Sequence, residues 1–138
     1  MKITKVEVMA TNVPFRGSEG NTGEIALGKW ELCRFVIVKV HTDEGIVGYG
    51  ESAPFARLSP LGQKPIIDVL VDYVAPSVIG LDPFNTEEIW KTMDRATPDN
   101  AQAKGAIDMA LYDIMGKKTG QPACNFLGGA VRHEIPLQ

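Results

Sequence analysis

The hydrophobic pattern of the sequence changes its period about halfway along the chain. In the first half, apolar residues alternate with polar ones or form β-branched runs, as they do in strands. From Pro65 onwards they recur every three or four positions, as they do in amphipathic helices. Strands followed by helices are typical of the α+β class. We therefore predict a three-stranded antiparallel meander followed by a bundle of three helices.

Three segments of the first half predict the strands. Residues 2–12 alternate, and residues 31–41 are rich in β-branched side chains. Residues 46–51 follow through a tight turn, in which Gly45 supplies the positive φ of a short hairpin. Residues 15–28 form a polar, glycine-rich run without a period, which predicts a flexible loop of a length that compact domains rarely keep without a use.

Three segments of the second half predict the helices. The first covers residues 65–79. The second begins at Asn85, where Glu88 completes a capping box, carries Ile89, Trp90 and Met93 inward and ends near Thr97-Pro98. The third ends at Gly120 and carries an outward pair of Asp113 and Lys117. Its apolar stripe consists of Ala103, Ala106, Ile107, Ala110, Leu111 and Ile114, and its alanines, with Gly105, would let another backbone approach closely.

Composition and charge exclude several classes of protein. The 138 residues include 14 Lys and Arg against 17 Asp and Glu, and no basic run could supply the phosphate contacts of a nucleic-acid-binding protein. Neither a signal peptide nor a membrane span is recognisable, so we expect a cytoplasmic protein. Cys33 and Cys124 are far apart and outside any CxxC motif, which argues against a disulfide framework or a structural zinc site.

Two stretches of sequence carry a resemblance to a known family. Residues 103–122 read AKGAIDMALYDIMGKKTGQP and are followed by FLGG at residues 126–129, while residues 43–54 read DEGIVGYGESAP. Together they resemble the motifs of the mandelate racemase and muconate lactonizing family of the enolase superfamily. The polar run after Pro14 lies where that family has its mobile lid loop. The resemblance covers nearly the whole chain.

The resemblance implies a domain division and a chemistry. Residues 1–130 would form an N-terminal capping domain, and residues 131–138 would lead into the first strand of a β/α barrel, which takes about 250 residues and is missing here. In the family, a Lys or His base of the barrel abstracts a proton α to a carboxylate, and Mg²⁺ stabilises the ene-diolate. The resemblance thus places no catalytic residue and no metal ligand in this chain. It implies a parent enzyme with Mg²⁺, a small carboxylate substrate, its own barrel and a homo-oligomeric assembly.

Two loops are expected to cover the substrate. Residues 16–30 are polar enough to open into water and contain glycines that can act as hinges, and residues 51–58 follow the third strand. A disordered first loop, a Trp30 that covers the sheet edge and a Phe55 that fills the core are the structural alternatives. The side chains expected to contact the substrate are Arg16, Ile25, Leu27 and Trp30 in the first loop and Ala53, Pro54 and Phe55 in the second.

Other chemically suggestive residues have structural explanations. Asp108 and Asp113 are five residues apart on one helix and point in different directions, so we expect Asp108 to bond at a helix interface. His41 and His133 have no Cys, Asp or Glu at ligand spacing. The sequence Gly48-Tyr49-Gly50 lacks the third glycine and the following helix of a dinucleotide loop.

We therefore predict the substrate-specificity capping domain of a Mg²⁺-dependent isomerase or lyase, inactive without its barrel. A muconate cycloisomerase, an amino-acid or dipeptide epimerase and an acid-sugar dehydratase all fit the resemblance. The alternative is a stand-alone binding or self-association module that has the cap fold and no catalysis. In that case the small-residue helix at residues 103–116 would mediate association.

Overall fold

Helices cover one face of an antiparallel sheet in the computed structural model, which describes residues 1–14, 24–25, 28–29, 32–54 and 62–136. The strands are β1 (Ile3–Pro14), β2 (Glu24–Ile25), β3 (Gly28–Lys29), β4 (Leu32–Thr42) and β5 (Val47–Ser52). The helices are α1 (Gln63–Val69), a π-helical turn (Leu70–Val74), α2 (Ala75–Val78), α3 (Thr86–Ala96), α4 (Ala101–Thr119) and a 3₁₀ turn (Ala123–Leu127). The predicted α+β order is confirmed.

Strands β1, β4 and β5 form the predicted meander, with β4 in the middle and both pairings antiparallel. The turn between β4 and β5 is the predicted tight one. Gly45 has a φ of 77°, and the N–H of Thr42 donates to the carbonyl oxygen of Ile46 at 3.0 Å. The two-residue strands β2 and β3 were not predicted; they pair with each other in the stretch expected to be an irregular loop.

A β-bulge near the start of β1 explains why its apolar residues are not strictly alternate. Ile3 lies opposite Thr42, whereas Lys5 lies opposite His41, so the register shifts by one residue between them. An extra residue in one strand rotates the following side chains to the other face. As a result Ile3, at an odd position, lies in the core, and Val6, at an even one, packs against it.

Helix α1, the π-helical turn and α2 form one continuous helix whose central turn is π-helical instead of α-helical. Its fully buried residues are spaced by four: Ile66, Leu70, Val74 and Val78, each at most 1% exposed. The π turn ends at Val74, two residues before Pro76. In a regular α-helix a proline lacks the donor and its ring crowds the carbonyl group four residues earlier, and a wider turn relieves that crowding. The predicted helix at residues 65–79 is therefore correct in extent but not in its internal geometry.

Helix α3 begins after Asn85, as predicted, but its capping box does not form. The side chain of Asn85 caps no backbone N–H, and its Nδ2 donates instead to Oε2 of Glu88 at 3.3 Å. The two side chains therefore hydrogen-bond to each other, and Asn85 does not cap the N-terminus of the helix. The inward residues are correct, since Ile89 and Met93 are fully buried and Trp90 packs against the core.

Helix α4 lies on the sheet with its predicted stripe buried, since all six stripe residues are at most 1% exposed. Two glycines of β5 make the contact possible. A Cβ atom at Gly50 would lie 1.8 Å from the carbonyl oxygen of Ala106, and one at Gly48 would lie 2.1 Å from that of Ala110. The close approach that the alanines predict is thus made to the chain's own strand. They are not available for the self-association considered above, and Gly105 takes no part.

Lys104 is the one charged residue of the described core, at 1% exposed. It lies among the apolar positions of α4, and its Nζ donates to Oδ1 of Asp94 on α3 at 2.6 Å. The aliphatic stem of a lysine can be buried when its ammonium group finds a partner at the surface. Lys104 thus joins α4 to α3. Within the described ranges no helix is long and apolar enough to cross a membrane.

Candidate functional site

The residues that flank the two predicted substrate-covering loops lie at one end of the sheet, where β1 and β5 end and β4 begins. Pro14, the last residue of β1, is paired with Leu32, the first residue of β4. Ser52, the last residue of β5, is paired with Val36, four residues further along β4. The chain therefore leaves the sheet towards both loops from the same end of the sheet, although it does so at positions 38 residues apart in sequence.

Gln63, the first residue of α1, also lies at this end of the sheet, and nothing in the sequence indicated that position. Its Nε2 donates to the carbonyl oxygens of Phe35 at 2.7 Å and of Thr11 at 3.3 Å. Thr11 and Phe35 are themselves a register pair of β1 and β4. One side-chain amide therefore holds the first turn of α1 against two strands. A glutamine just before an apolar helical run was the only signal, and it does not reveal a partner in a distant strand.

The predicted site residues fall into three groups. Ala53 is exposed and Pro54 is buried, so of these two predicted contact residues only Ala53 is accessible to a ligand. Ile25 lies in β2, of which the backbone is described. Arg16, Leu27, Trp30 and Phe55 lie outside the described residues.

The N-terminal end of α4 lies near the same end of the sheet. The contacts of Gly48 with Ala110 and of Gly50 with Ala106 run towards the N-terminus of α4 as β5 runs towards Ser52. Ser52 is 4% exposed, and its Oγ has no hydrogen-bond partner among the residues that the structure describes. Asn100, which precedes α4, adopts a left-handed backbone with a φ of 52°. Near this end of the sheet, α4 thus packs against β5 through its backbone and offers few polar side chains.

Asp113 and Lys117 fix the free edge of β5. They form the predicted ion pair at 2.6 Å, but they are not simply outward. Asp113 Oδ2 also accepts from the N–H of Tyr49 at 2.8 Å, and Lys117 Nζ donates to the carbonyl oxygen of Val47 at 2.7 Å. An edge strand has unpaired backbone groups that invite other strands, and covering them prevents such pairing. The ammonium of Lys117 also lies 4.6 Å from the centroid of the Tyr49 ring.

The two aspartates of α4 have separate structural partners, as predicted. Asp108 Oδ1 accepts from Nε1 of Trp90 at 2.7 Å, which joins α4 to α3 at the predicted helix interface. Burial, and then the nearby carboxylates of Asp108 and Glu87, raise the pKa of Tyr112 above its ordinary value of 10.0. This polar group lies on the side of α4 that faces away from the sheet.

A second polar group lies on the open face of the sheet. Lys5 donates to Oε1 of Glu7 at 2.5 Å and thereby holds the pKa of Glu7 below its ordinary value of 4.5. Nε2 of His41 lies 3.5 Å from the same carboxylate. This cross-strand neighbour of His41 was invisible in the sequence.

The described residues do not fit a magnesium site. Mg²⁺ needs several oxygen ligands in near-octahedral geometry. Among the residues that the structure describes, no three His, Cys, Asp or Glu side chains come together in a group that could hold a metal ion. No step of a reaction is therefore assigned to a metal on these residues.

The chain matches a family model over most of its length. Residues 5–128 match the model described as mandelate racemase / muconate lactonizing enzyme, N-terminal domain.

Three relatives of known name are similar over nearly the whole chain. The N-succinyl-L-Arg/Lys racemase of Bacillus cereus is 36% identical over 137 residues, which are 99% of this chain and 36% of the racemase. The hydrophobic dipeptide epimerase of Enterococcus faecalis is 37% identical over 129 residues, covering 94% of this chain and 35% of the epimerase. The cis-3-hydroxy-L-proline dehydratase of Roseibium aggregatum is 35% identical over 137 residues, covering 99% and 37%. The chain therefore spans little more than a third of the length of these relatives.

Crystal structures of two of these proteins superpose on the chain. The Bacillus cereus racemase gives a TM-score of 0.91 at 36% identity and covers 99% of this chain and 36% of its own. The Enterococcus faecalis epimerase, crystallised with Mg and the dipeptide L-Leu-L-Tyr, gives a TM-score of 0.84 at 37% identity and covers 94% and 35%. The described fold is thus that of the N-terminal part of both proteins.

Proposed function

Because this chain belongs to the mandelate racemase / muconate lactonizing enzyme family, we propose that it is the substrate-covering domain of a Mg²⁺-dependent enzyme that removes a proton α to a carboxylate. Residues 1–130 form this domain in the proposal. The reaction is a racemisation or epimerisation, a cycloisomerisation or a dehydration, all of which can begin with the same proton transfer. The base and the metal belong to the barrel.

One observation of the structure carries the covering role. Two chain segments begin and end at the same end of the sheet, at Pro14, Leu32, Ser52 and Gln63. A site that must exclude water during proton transfer needs segments that can close over it from a rigid support. The close contact of β5 with α4 and the side chain of Gln63 supply that support.

The chain's own residues would bind and orient the substrate. Arg16 offers a charge for a carboxylate, while Ile25, Leu27, Trp30 and Phe55 offer apolar surface for the rest of the substrate. Ala53, which follows β5 directly, is exposed at the same end of the sheet. When bound in the barrel, Mg²⁺ would stabilise the negative charge that develops on the substrate carboxylate.

The substrate class is a small carboxylate, and the relatives' names narrow the first trials. The three relatives are named for N-succinyl-L-Arg/Lys, hydrophobic dipeptides and cis-3-hydroxy-L-proline, each of which is an amino acid or an amino-acid derivative. We propose an amino-acid derivative as the first candidate, ahead of muconates and acid sugars.

The experiment measures α-deuterium incorporation by NMR in D₂O, with the complete gene product and Mg²⁺. We expect incorporation into at least one compound of a panel of N-acyl amino acids, dipeptides, hydroxyprolines, muconates and acid sugars, and its loss when a chelator is added. Proton exchange or product formation that survives chelation, or no turnover of any panel compound, would contradict the proposal.

A pair of variants tests the covering role itself. Phe55→Ala should raise KM more than it lowers kcat, because it removes apolar surface from the substrate. Phe84→Ala is the matched control, since Phe84 is 40% exposed and lies towards the opposite end of the sheet. Three residues before it, the carbonyl oxygen of Leu81 accepts from the N–H of Ile3, the first residue of β1. Equal effects of the two variants on KM would show that Phe55 does not contact the substrate.

A further inference from the structure

We propose that the side of α4 that faces away from the sheet is the docking surface for the polypeptide that follows this domain. We call this side the outer face of α4 and define it by Ala101, Gly105, Met109, Tyr112 and Gly116. The inference rests on the proposed function, since it takes as the occupant the barrel region that the relatives carry beyond the matched segment.

The composition of the outer face is unlike that of a solvent-facing helix. Its five residues follow one another at spacings of four, four, three and four, so they form a continuous stripe. None of them is charged, and Met109 is 50% exposed. By contrast, the outward residues of α3 include Glu87, Glu88, Lys91 and Arg95, all exposed. A helix that is apolar on both sides is typical of a helix buried on both sides.

Gly105 supports the same conclusion. A Cβ atom at this position would have no heavy atom within 4 Å, so nothing in the described chain requires a glycine there. Glycine weakens a helix, because it loses more backbone freedom on folding than any other residue. In this fold, glycines at Gly48 and Gly50 let a helix backbone come close. A glycine that faces open space on α4 indicates a similar close approach from outside.

The path of the chain after α4 identifies the occupant. Gly128 and Gly129 have φ values of 98° and 96°, and the N–H of Gly129 donates to the carbonyl oxygen of Cys124 at 2.8 Å. The N–H of Gln121 donates to the carbonyl oxygen of Gly116, which belongs to the outer face. The segment that follows is thus attached within a few residues of this surface, and a short tether gives a high effective concentration.

Further apolar residues extend the surface along that path. Leu127 is 65% exposed, Val131 94% and Ile135 75%. The relatives are almost three times as long as this chain, so in them a large region follows the same segment. A region of that size joined at this end of α4 can cover the outer face and the exposed residues together.

Asp108 gives the partner surface a chemical requirement. Its Oδ1 is bonded to Trp90, and its carboxylate is adjacent to Tyr112, whose pKa is raised by burial and by Asp108 and Glu87. The outer face is therefore apolar with a negative margin. Its partner should present apolar side chains and, beside them, a hydrogen-bond donor or a cation for Asp108.

Oxidative footprinting of the complete gene product tests the proposal without a mutation. Met109 should be oxidised by hydroxyl radicals as slowly as Met93, which is fully buried. Met109 that reacts as fast as it does in the urea-unfolded protein would overturn the proposal. Protection that is lost on dilution would overturn it too, because the occupant would then be a second copy of the chain.

A matched pair of charge substitutions provides the second test. Met109→Lys and Val71→Lys both replace an apolar residue that is 50% exposed on a helix. In the complete gene product we expect Met109→Lys to lower Tm by several degrees and Val71→Lys to change it little, with Met109→Leu retaining the wild-type Tm. Equal Tm values for the two lysine variants would refute docking at this surface.

The two proposals fail in different ways. If the wild-type protein exchanges α-protons with Mg²⁺ while Met109→Lys behaves like Val71→Lys, only the docking surface is wrong. If Met109 is protected and Met109→Lys is destabilising, yet no panel compound reacts, the docking surface stands and the proposed reaction is wrong.

Discussion

The two sides of helix α4 use glycine in opposite ways. On the inner side, Gly48 and Gly50 of β5 lie so close to the carbonyl oxygens of α4 that no side chain fits between them. On the outer side, Gly105 faces open space. The same residue type thus marks a contact already made within the chain and a surface without a partner in it. Which of the two applies is decided by the surrounding atoms and not by the sequence.

The largest loss of stability is expected when a side chain is added on the inner side of α4, between this helix and β5. Gly50→Ala places a methyl group 1.8 Å from a backbone oxygen, so the strand or the helix must shift as a whole. Overpacking of this kind costs about 3 kcal/mol, because a backbone cannot rotate away as a side chain can. Urea unfolding monitored by circular dichroism measures the loss. Gly105→Ala adds the same methyl group on the outer side and is the matched control; a similar loss in both variants would show that the contact is not the cause.

A smaller effect is expected from the pair that joins α4 to the edge of β5. Asp113→Ala removes the acceptor of the Tyr49 N–H and the partner of Lys117. The site is partly exposed, so we expect a loss of about 1 kcal/mol in the free energy of unfolding. Asp113→Asn keeps an acceptor for Tyr49 and should lose less. Light scattering should also show faster aggregation of Asp113→Ala, and an unchanged rate would argue against protection of the strand edge.

The outer side should respond to a methyl group in the opposite direction. In the 138-residue chain, Gly105→Ala should raise the free energy of unfolding by about 0.5–1 kcal/mol, because alanine is the better helix former. In the complete gene product the gain should shrink or reverse if a backbone packs against Gly105. Thermal unfolding of both forms gives the comparison, and an equal gain in both would count against close packing at this position.

The smallest effect concerns the ionisation of Tyr112. Its raised pKa means that the unfolded chain loses the phenol proton first as the pH rises above 10.0. The stabilisation is therefore complete below pH 10.0 and is lost as the pH rises through the higher folded value. Tyrosinate absorbance, with Tyr112→Phe as the reference, measures the shift. Asp108→Asn should lower the pKa only in part, because burial is the larger cause, and a complete return to 10.0 would contradict that order.

Much of the fold could be predicted because periodicity reports which side of an element is buried. The six stripe residues of α4 are buried as expected, and so are Val36, Val38 and Val40 of β4, since their spacing puts them on one side of each element. The bulge in β1 was less accessible, because one inserted residue changes the phase of the alternation without changing its composition. Asn85 and Glu88 had the right spacing for a capping box, but a direct bond between their side chains took the place of the caps.

The candidate site was predictable as a place and not as a set of contacts. The glycine-rich run and the segment after β5 were predicted to be loops, and the described residues that flank them lie at one end of the sheet. The bonds of Gln63 to Thr11 and Phe35 could not be predicted, because they join residues 52 and 28 positions apart. The burial of Lys104 was missed for a similar reason, since only the position of Asp94 on another helix makes it tolerable.

The π-helical turn at Leu70–Val74 works as a phase correction in the helix that contains it. In a regular α-helix, residues four apart drift by about 40° per step around the axis, so the series from Ile66 to Val78 would wind out of the core. The wider turn adds the residue that cancels this drift. Inserting or deleting one residue in this segment would therefore rotate the rest of the helix about its axis relative to the sheet.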